Sequence, residues 1–152
     1  HGLAFGTGLA KAAKLKNEKW RVFVLIGDGE MNEGSIWESA LHASKHNLTN
    51  LTLIIDFNNM QASGFLENVL NMEPIRSKWE AFGFEVYEVN GHDKKALREV
   101  LSAGPTNKPR CVIAYTVKGK GVALTENSPT WHHKAKITAE EIEHLLESIE
   151  SK

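Results

Sequence analysis

The sequence predicts an α/β fold built on a mostly parallel sheet, and three observations predict it. A β-branched run at residues 22–26 stops at Gly27-Asp28-Gly29, and a second apolar run, Leu51–Phe57, stops at Asn58-Asn59. The residues between them, 35–47, place Ile36, Trp37, Ala40, Leu41 and Ala43 at helical spacing. Parallel strands need such a crossover, and it leaves both strand ends on one edge of the sheet, where ligands of open α/β sheets bind. Asp28 and Asn58 are therefore expected close together.

The remaining elements follow in order. Residues 3–16 read as a helix, with Leu3, Phe5, Leu9, Ala12, Ala13 and Leu15 among small residues and lysines late in the run, where cations suit the helix dipole. Gly6-Thr7-Gly8 has no strand before it and lacks the full dinucleotide spacing, so close helix packing is the better account. Residues 64–73 are polar and glycine-marked, the pattern of a loop. Pro74 opens a helix carrying Ile75, Trp79 and Phe82, which Gly83 ends. Residues 84–89 alternate apolar with acidic side chains, a strand with one solvated face. The turn Asn90-Gly91-His92-Asp93 leads into helix Lys94–Ser102 with Asp93 as N-cap. Residues 104–109 are a loop, and 110–117 a buried strand. Thr138-Ala139-Glu140-Glu141 has the form of a capping box ahead of an amphipathic stripe, Ile142, Leu145, Leu146 and Ile149.

Composition narrows the function classes. At 152 residues the chain has the length of a single domain, and 41% apolar with 24% charged residues is ordinary for a soluble globular protein. A net charge of -1 offers no basic field for nucleic acid. No apolar stretch approaches the roughly 20 residues of a membrane span. Cys111, the only cysteine, lies in an apolar run and reads as a buried, inert thiol, which fits a reducing cytoplasm. His42 and His46 lie four apart but lack the glutamate of H-E-x-x-H and a third ligand, so exposed helix histidines are the plainer reading. The chain opens at His1-Gly2 directly into a helical pattern, and earlier residues are expected to be missing from view.

The two strand tips carry the chemistry. A carboxylate, an amide oxygen and a backbone carbonyl are hard oxygen ligands that suit Mg, which completes its shell with water and substrate phosphates. Glycines flanking Asp28 allow close backbone approach to a diphosphate, and the N-terminus of the following helix offers N–H groups to the anion. Lys118-Gly119-Lys120-Gly121, after the last strand, lies at the same edge; its lysines suit phosphate, although the spacing is not that of a P-loop. Gln61 follows within reach of the site, but a lone polar loop residue is usually just solvated.

Gly27-Asp28-Gly29, then 28 residues (30 to 57), then Asn58-Asn59, followed by Lys118-Gly119-Lys120-Gly121 and Trp131-His132-His133, resembles the transketolase family over most of the chain. More narrowly it resembles the diphosphate-binding N-terminal part, including the separate N-terminal subunits of split transketolases. The resemblance implies a three-layer α/β/α thiamine diphosphate-binding fold spanning residues 1–152, with thiamine diphosphate and Mg as cofactors. It implies metal ligation by Asp28, Asn58 and the carbonyl of Met60, with Asn59 the alternative by analogy to 2-oxo acid dehydrogenases. It implies cofactor contacts from Gly27, Asp28, Gly29, Glu30, Asn58, Met60 and His132, with His132 also facing the reacting centre and His133 a further candidate. His1-Gly2 aligns with a glycine-rich loop near the cofactor. Glu33, with Glu38, matches an acidic cluster linking two active sites across a dimer, although acidic residues at a helix start also simply suit its dipole. His92 receives no catalytic role.

The resemblance implies two-carbon ketol transfer between sugars or sugar phosphates. The glutamate that activates the pyrimidine ring comes, in the family, from a different domain, so a pyrimidine-binding partner subunit or domain and a homo- or hetero-oligomer are expected. Alone, the chain is expected to be inactive. A 1-deoxyxylulose-phosphate synthase or 2-oxo acid dehydrogenase relative shares the clamp, and a non-catalytic cofactor-binding or assembly subunit is the reading from another class.

Overall fold

The computed structural model describes residues 1–132 and 134–150. Four parallel strands form the sheet: β1 (Val22–Gly27), β2 (Leu51–Phe57), β5 (Glu85–Asn90) and β6 (Arg110–Tyr115), in the order β1-β2-β6-β5. Helices α1 (Gly2–Leu15), α2 (Gly34–Lys45), α4 (Ile75–Ala81) and α5 (Lys94–Ser102) flank the sheet, with α6 (Ala139–Glu150) last in the chain. The short pieces β3 (Met60–Gln61), β4 (Gly64–Phe65) and α3 (Leu66–Val69) fill the segment after β2.

Alternation along the strands gives the sheet two different faces. One carries Val22, Val24, Ile26, Leu51, Leu53, Ile55, Cys111 and Ile113, and packs with Leu3, Ala10, Ile36, Ala40 and Trp79 into the main core. Gly6 lets α1 sit close on that face, since a Cβ there would lie 2.3 Å from Val24 Cγ2. This is the packing role expected for Gly6, whereas Gly8 meets nothing. Trp79 is fully buried, stacked on Trp37 at 5.0 Å and edge-on to Phe84 at 5.1 Å.

The other face is covered by α5. The chain steps outward from β2 to β5 and returns to β6, and keeping a right-handed crossover while moving in the reverse direction puts α5 on the opposite side from α2. Buried Arg110 fixes this helix: its guanidinium donates to the carbonyls of Val100 at 3.0 Å, Ala103 at 3.1 Å and Gly104 at 2.6 Å. A cation among the last carbonyls of a helix is favoured by the dipole as well as by the bonds. On β1 the same face is open, with Phe23 47% and Leu25 68% exposed.

Two local expectations change. The stretch at 64–73 is not plain loop: β3 pairs antiparallel with β4, and α3 follows. Asn59 turns the chain in the left-handed region at φ 61°, its carbonyl accepts the Leu66 N–H at 3.1 Å, and buried Leu66 and Met72 pin the segment to the core. The second change is a 3-10 turn, Asp28–Asn32, between β1 and α2. Helix α2 starts only at Gly34, so the N–H groups that follow Asp28 in the chain belong to that turn and not to the helix N-terminus.

The caps at the other helices are as expected. Asp93 accepts from the N–H groups of Lys95 and Ala96. Thr138 Oγ1 accepts the Glu141 N–H at 3.2 Å while Glu141 accepts that of Thr138 at 3.0 Å. Among the described residues no helix is long and apolar enough to cross a membrane, and none of their His, Cys, Asp and Glu side chains form a three-ligand metal group. His46 instead pairs with Lys11 Nζ at 2.8 Å, and burial drives the Cys111 thiol well above its ordinary range, as befits an inert core residue.

Trp79→Ala empties the centre of this core and is expected to lower unfolding free energy by about 3–5 kcal/mol. Asp93→Ala removes only a cap and is expected to cost about 1 kcal/mol. Urea denaturation of both variants measures the two losses.

Candidate functional site

The site forms where β1 and β2 end. Gly27 is level with Asp56 across the ladder, and both strands there give way to turns. Asp28 begins its turn with the side chain directed across to the segment after β2, where its Oδ2 accepts the Asn59 N–H at 2.5 Å. The carboxylate is 1% exposed. Burial pushes its pKa above the ordinary 3.8, more than the backbone N–H groups of Asn59, Gly29, Asn58 and Met60 hold it down. Such a carboxylate, hydrogen-bonded by the Asn59 amide and with its pKa lowered further by three neighbouring ones, is still poorly compensated, the state a bound cation relieves.

Asn58 is the second member. Its Oδ1 accepts the Met60 N–H at 3.1 Å and its Nδ2 donates to Asp56 Oδ2 at 3.4 Å. The Met60 amide thus neighbours both the Asn58 carbonyl oxygen and the Asp28 carboxylate. Asp56 is also bonded to Thr116 Oγ1, which ties the end of β2 to the residue following β6. A cavity of about 400 Å³ opens at these strand ends, bordered by Phe57, Asn58, Asn59, Tyr115 and Thr116. A larger depression of about 850 Å³ lies at the other end of the sheet beside Glu85 and Lys108, away from the edge where such folds bind ligands.

Residues 3–150 match the family described as "Transketolase, thiamine diphosphate binding domain". The chain belongs to this transketolase family. It is 45% identical over 150 residues to an apulose-4-phosphate transketolase subunit of Actinobacillus succinogenes, covering 98% of this chain and 54% of that protein. It is 32% identical to a 6-deoxy-6-sulfo-D-fructose transketolase subunit of a Clostridium species, covering 91% and 51%. The chain spans about half the length of these relatives. Among solved structures, transketolase from Campylobacter jejuni superposes with a TM-score of 0.81 at 34% identity, over 86% of this chain and 22% of that one. The three-layer thiamine diphosphate-binding fold expected from the sequence is therefore the fold of this chain.

Within this transketolase domain the sequence-predicted residues are distributed unevenly. Asp28, Asn58 and Met60 meet at the strand tips, whereas the exposed Asn59 side chain follows the left-handed turn. Glu30 is exposed and its Oε2 closes the 3-10 turn on the Gly27 N–H at 2.7 Å. Gly29 is the glycine of the pair with a spatial demand, since a Cβ there would meet the Gln61 side chain at 2.8 Å. The neighbour that uses this space is thus Gln61. Glu33 and Glu38 are exposed at the start of α2, and Glu33 caps the helix through its backbone alone. His132 follows the 3-10 turn Pro129–Trp131, its N–H bonded to Pro129 O at 3.0 Å. His133 lies outside the described residues. His92 accepts the Val117 N–H at 2.8 Å, a positioning contact for the loop carrying Lys118 and Lys120.

Three residues escaped the sequence reading. Asp56 and Thr116 sit at the tips of neighbouring strands, and Asn32 ends the 3-10 turn. The one charge in the mostly apolar run Leu51–Phe57 was the signal for Asp56; no spacing rule marks the other two.

The donor set fits a hydrated divalent cation: a buried carboxylate short of compensation, a carboxamide oxygen and backbone carbonyls at one turn. The Asp28 shift has a stability consequence. Its folded pKa lies above the unfolded value, so between the two the folded state holds more protons and stability falls as pH rises. Asp28→Asn is expected to raise the stability of the metal-free chain at pH 7, with the gain vanishing below pH 3.8, where the carboxyl is protonated in both states. Chemical denaturation across pH measures the difference.

Proposed function

We propose that this chain is the cofactor-binding part of a transketolase-like enzyme that moves a two-carbon ketol unit between sugars or sugar phosphates. The observation carrying the reading is the buried Asp28 carboxylate held against the turn at residues 58–60, from the tips of two parallel strands. Asp28, the Asn58 carboxamide oxygen and the Met60 carbonyl would hold Mg, and Gly27, Gly29 and Glu30 would shape the diphosphate turn. Bound there, thiamine diphosphate would supply a nucleophile toward a ketose carbonyl.

The chain's own residues do the positioning. The strand tips would fix the charged tail of the cofactor, the main core beneath them keeps that distance constant, and Lys118 would contribute positive charge after β6, where Lys120 is paired with Glu126 at 3.8 Å. His132 is the candidate for the face toward the reacting centre, and Glu33 for contact with a second active site across an oligomer. Relatives named as one subunit of an apulose-4-phosphate transketolase support a pyrimidine-binding partner as a separate chain, which completes the site and supplies the activating acid. A cytoplasmic setting accords with the single, buried cysteine.

Calorimetric titration with Mg and thiamine diphosphate is expected to show Asp28→Ala weakening binding by about 100-fold or more. Unchanged affinity would remove Asp28 from the site. Ketol transfer from a ketose phosphate is expected only after the pyrimidine-binding chain is added; turnover by the isolated chain would reject the division of labour. Carbon dioxide release from pyruvate would identify a decarboxylating relative instead.

A further inference from the structure

Two carboxamides on partly buried residues beside the Asp28 turn each have hydrogen-bonding capacity left unused at one buried atom. Gln61, on β3, lays its side chain over Gly29, where an added Cβ would come within 2.8 Å of Gln61 Cβ and 2.9 Å of its Oε1. Asn32, at the end of the same turn, donates from Nδ2 to Gln61 Oε1 at 3.3 Å. This leaves Asn32 Oδ1 and Gln61 Nε2 buried without a hydrogen-bond partner among the described residues.

The imbalance does not depend on how the amides are turned. Two primary amides joined by one hydrogen bond always have one oxygen and one NH2 to spare, because flipping both only exchanges their roles. Buried polar atoms are nearly always paired, so a spare donor and a spare acceptor side by side ask for something that both accepts and donates. A diphosphate carried on a hydrated Mg does both: its oxygens accept, and the waters on the metal donate.

Resting on the Asp28 reading above, we infer that the Asn32–Gln61 pair is a second polar clamp for the metal diphosphate. One amide N–H of the pair binds a phosphate oxygen, and its free carbonyl oxygen takes a hydrogen from a metal-bound water. Gln61 is therefore a specificity residue for the phosphate tail, blind to the thiazole and pyrimidine rings.

The test titrates the full chain with Mg plus inorganic pyrophosphate, and separately with Mg plus thiamine diphosphate. The variants are Gln61→Met, which keeps length without the amide, and Gln61→Glu, which sets an anion against phosphate. Gln61→Met is expected to weaken both ligands equally, by about 10- to 100-fold, and Gln61→Glu to weaken them further. The melting temperature of metal-free Gln61→Met should change little, because the long 3.3 Å bond from Asn32 is lost together with the unpaired Gln61 Nε2. Unchanged affinities in both Gln61 variants, with binding lost in Asp28→Ala, would leave the pair holding an internal water only and overturn this inference alone. Retained affinity in Asp28→Ala, or no wild-type binding of either ligand, would overturn the site reading with it.

Discussion

A single charge placed between two strands organises this molecule. Asp28 leaves β1 and is satisfied, incompletely, by the backbone of the turn after β2. A carboxylate with almost no exposure is costly to desolvate, so the chain must hold it through other contacts. Those contacts are the parallel ladder that keeps Gly27 level with Asp56, and the core of Leu53, Ile55, Ile36 and Trp79 that locks the ladder to its helices. The fold spends packing energy to keep an under-compensated anion at a fixed point on the sheet edge. That under-compensated anion is the basis of the metal site proposed above.

How much of this was legible follows from the range of each signal. The strands of the sheet and most of the helices were readable because hydrophobic periodicity is local, and so were the caps at Asp93 and Thr138. The approach of Asp28 to the turn at residue 58 was readable because two strands joined by a helical crossover run parallel and end at one edge of the sheet. What could not be read was short or non-local. The two-residue strands β3 and β4 are too brief to show alternation, and the 3-10 turn hides among glycines that fit several turn types. Asn32 and Gln61 meet across 29 residues, and Gln61 read alone was indistinguishable from a solvated loop residue.

The two sides of the sheet divide the labour. The side bearing α1, α2 and α4 is a conventional apolar core, whereas the α5 side joins a smaller buried set, Val100 and Val112 among it, to a buried guanidinium that binds three carbonyls. Arginine suits this role better than lysine, since its planar fork reaches divergent acceptors at once while keeping its charge. Its effect is to bring the last turn of α5 onto the start of β6, at the end of the sheet remote from the site, so the stabilising and ligand-facing ends are separate.

The bare stretch of β1 has a practical bearing. Among the described residues Val22–Gly27 lies at the margin of the sheet, with Leu25 facing solvent, Phe23 half-exposed beneath the Arg21 guanidinium, and neither lysine nor proline within the strand. Margins of this kind invite strand addition from another molecule and seed precipitation. A charge introduced at position 25 would be the simplest gatekeeper for concentrated samples, since it touches neither the core nor the strand tips.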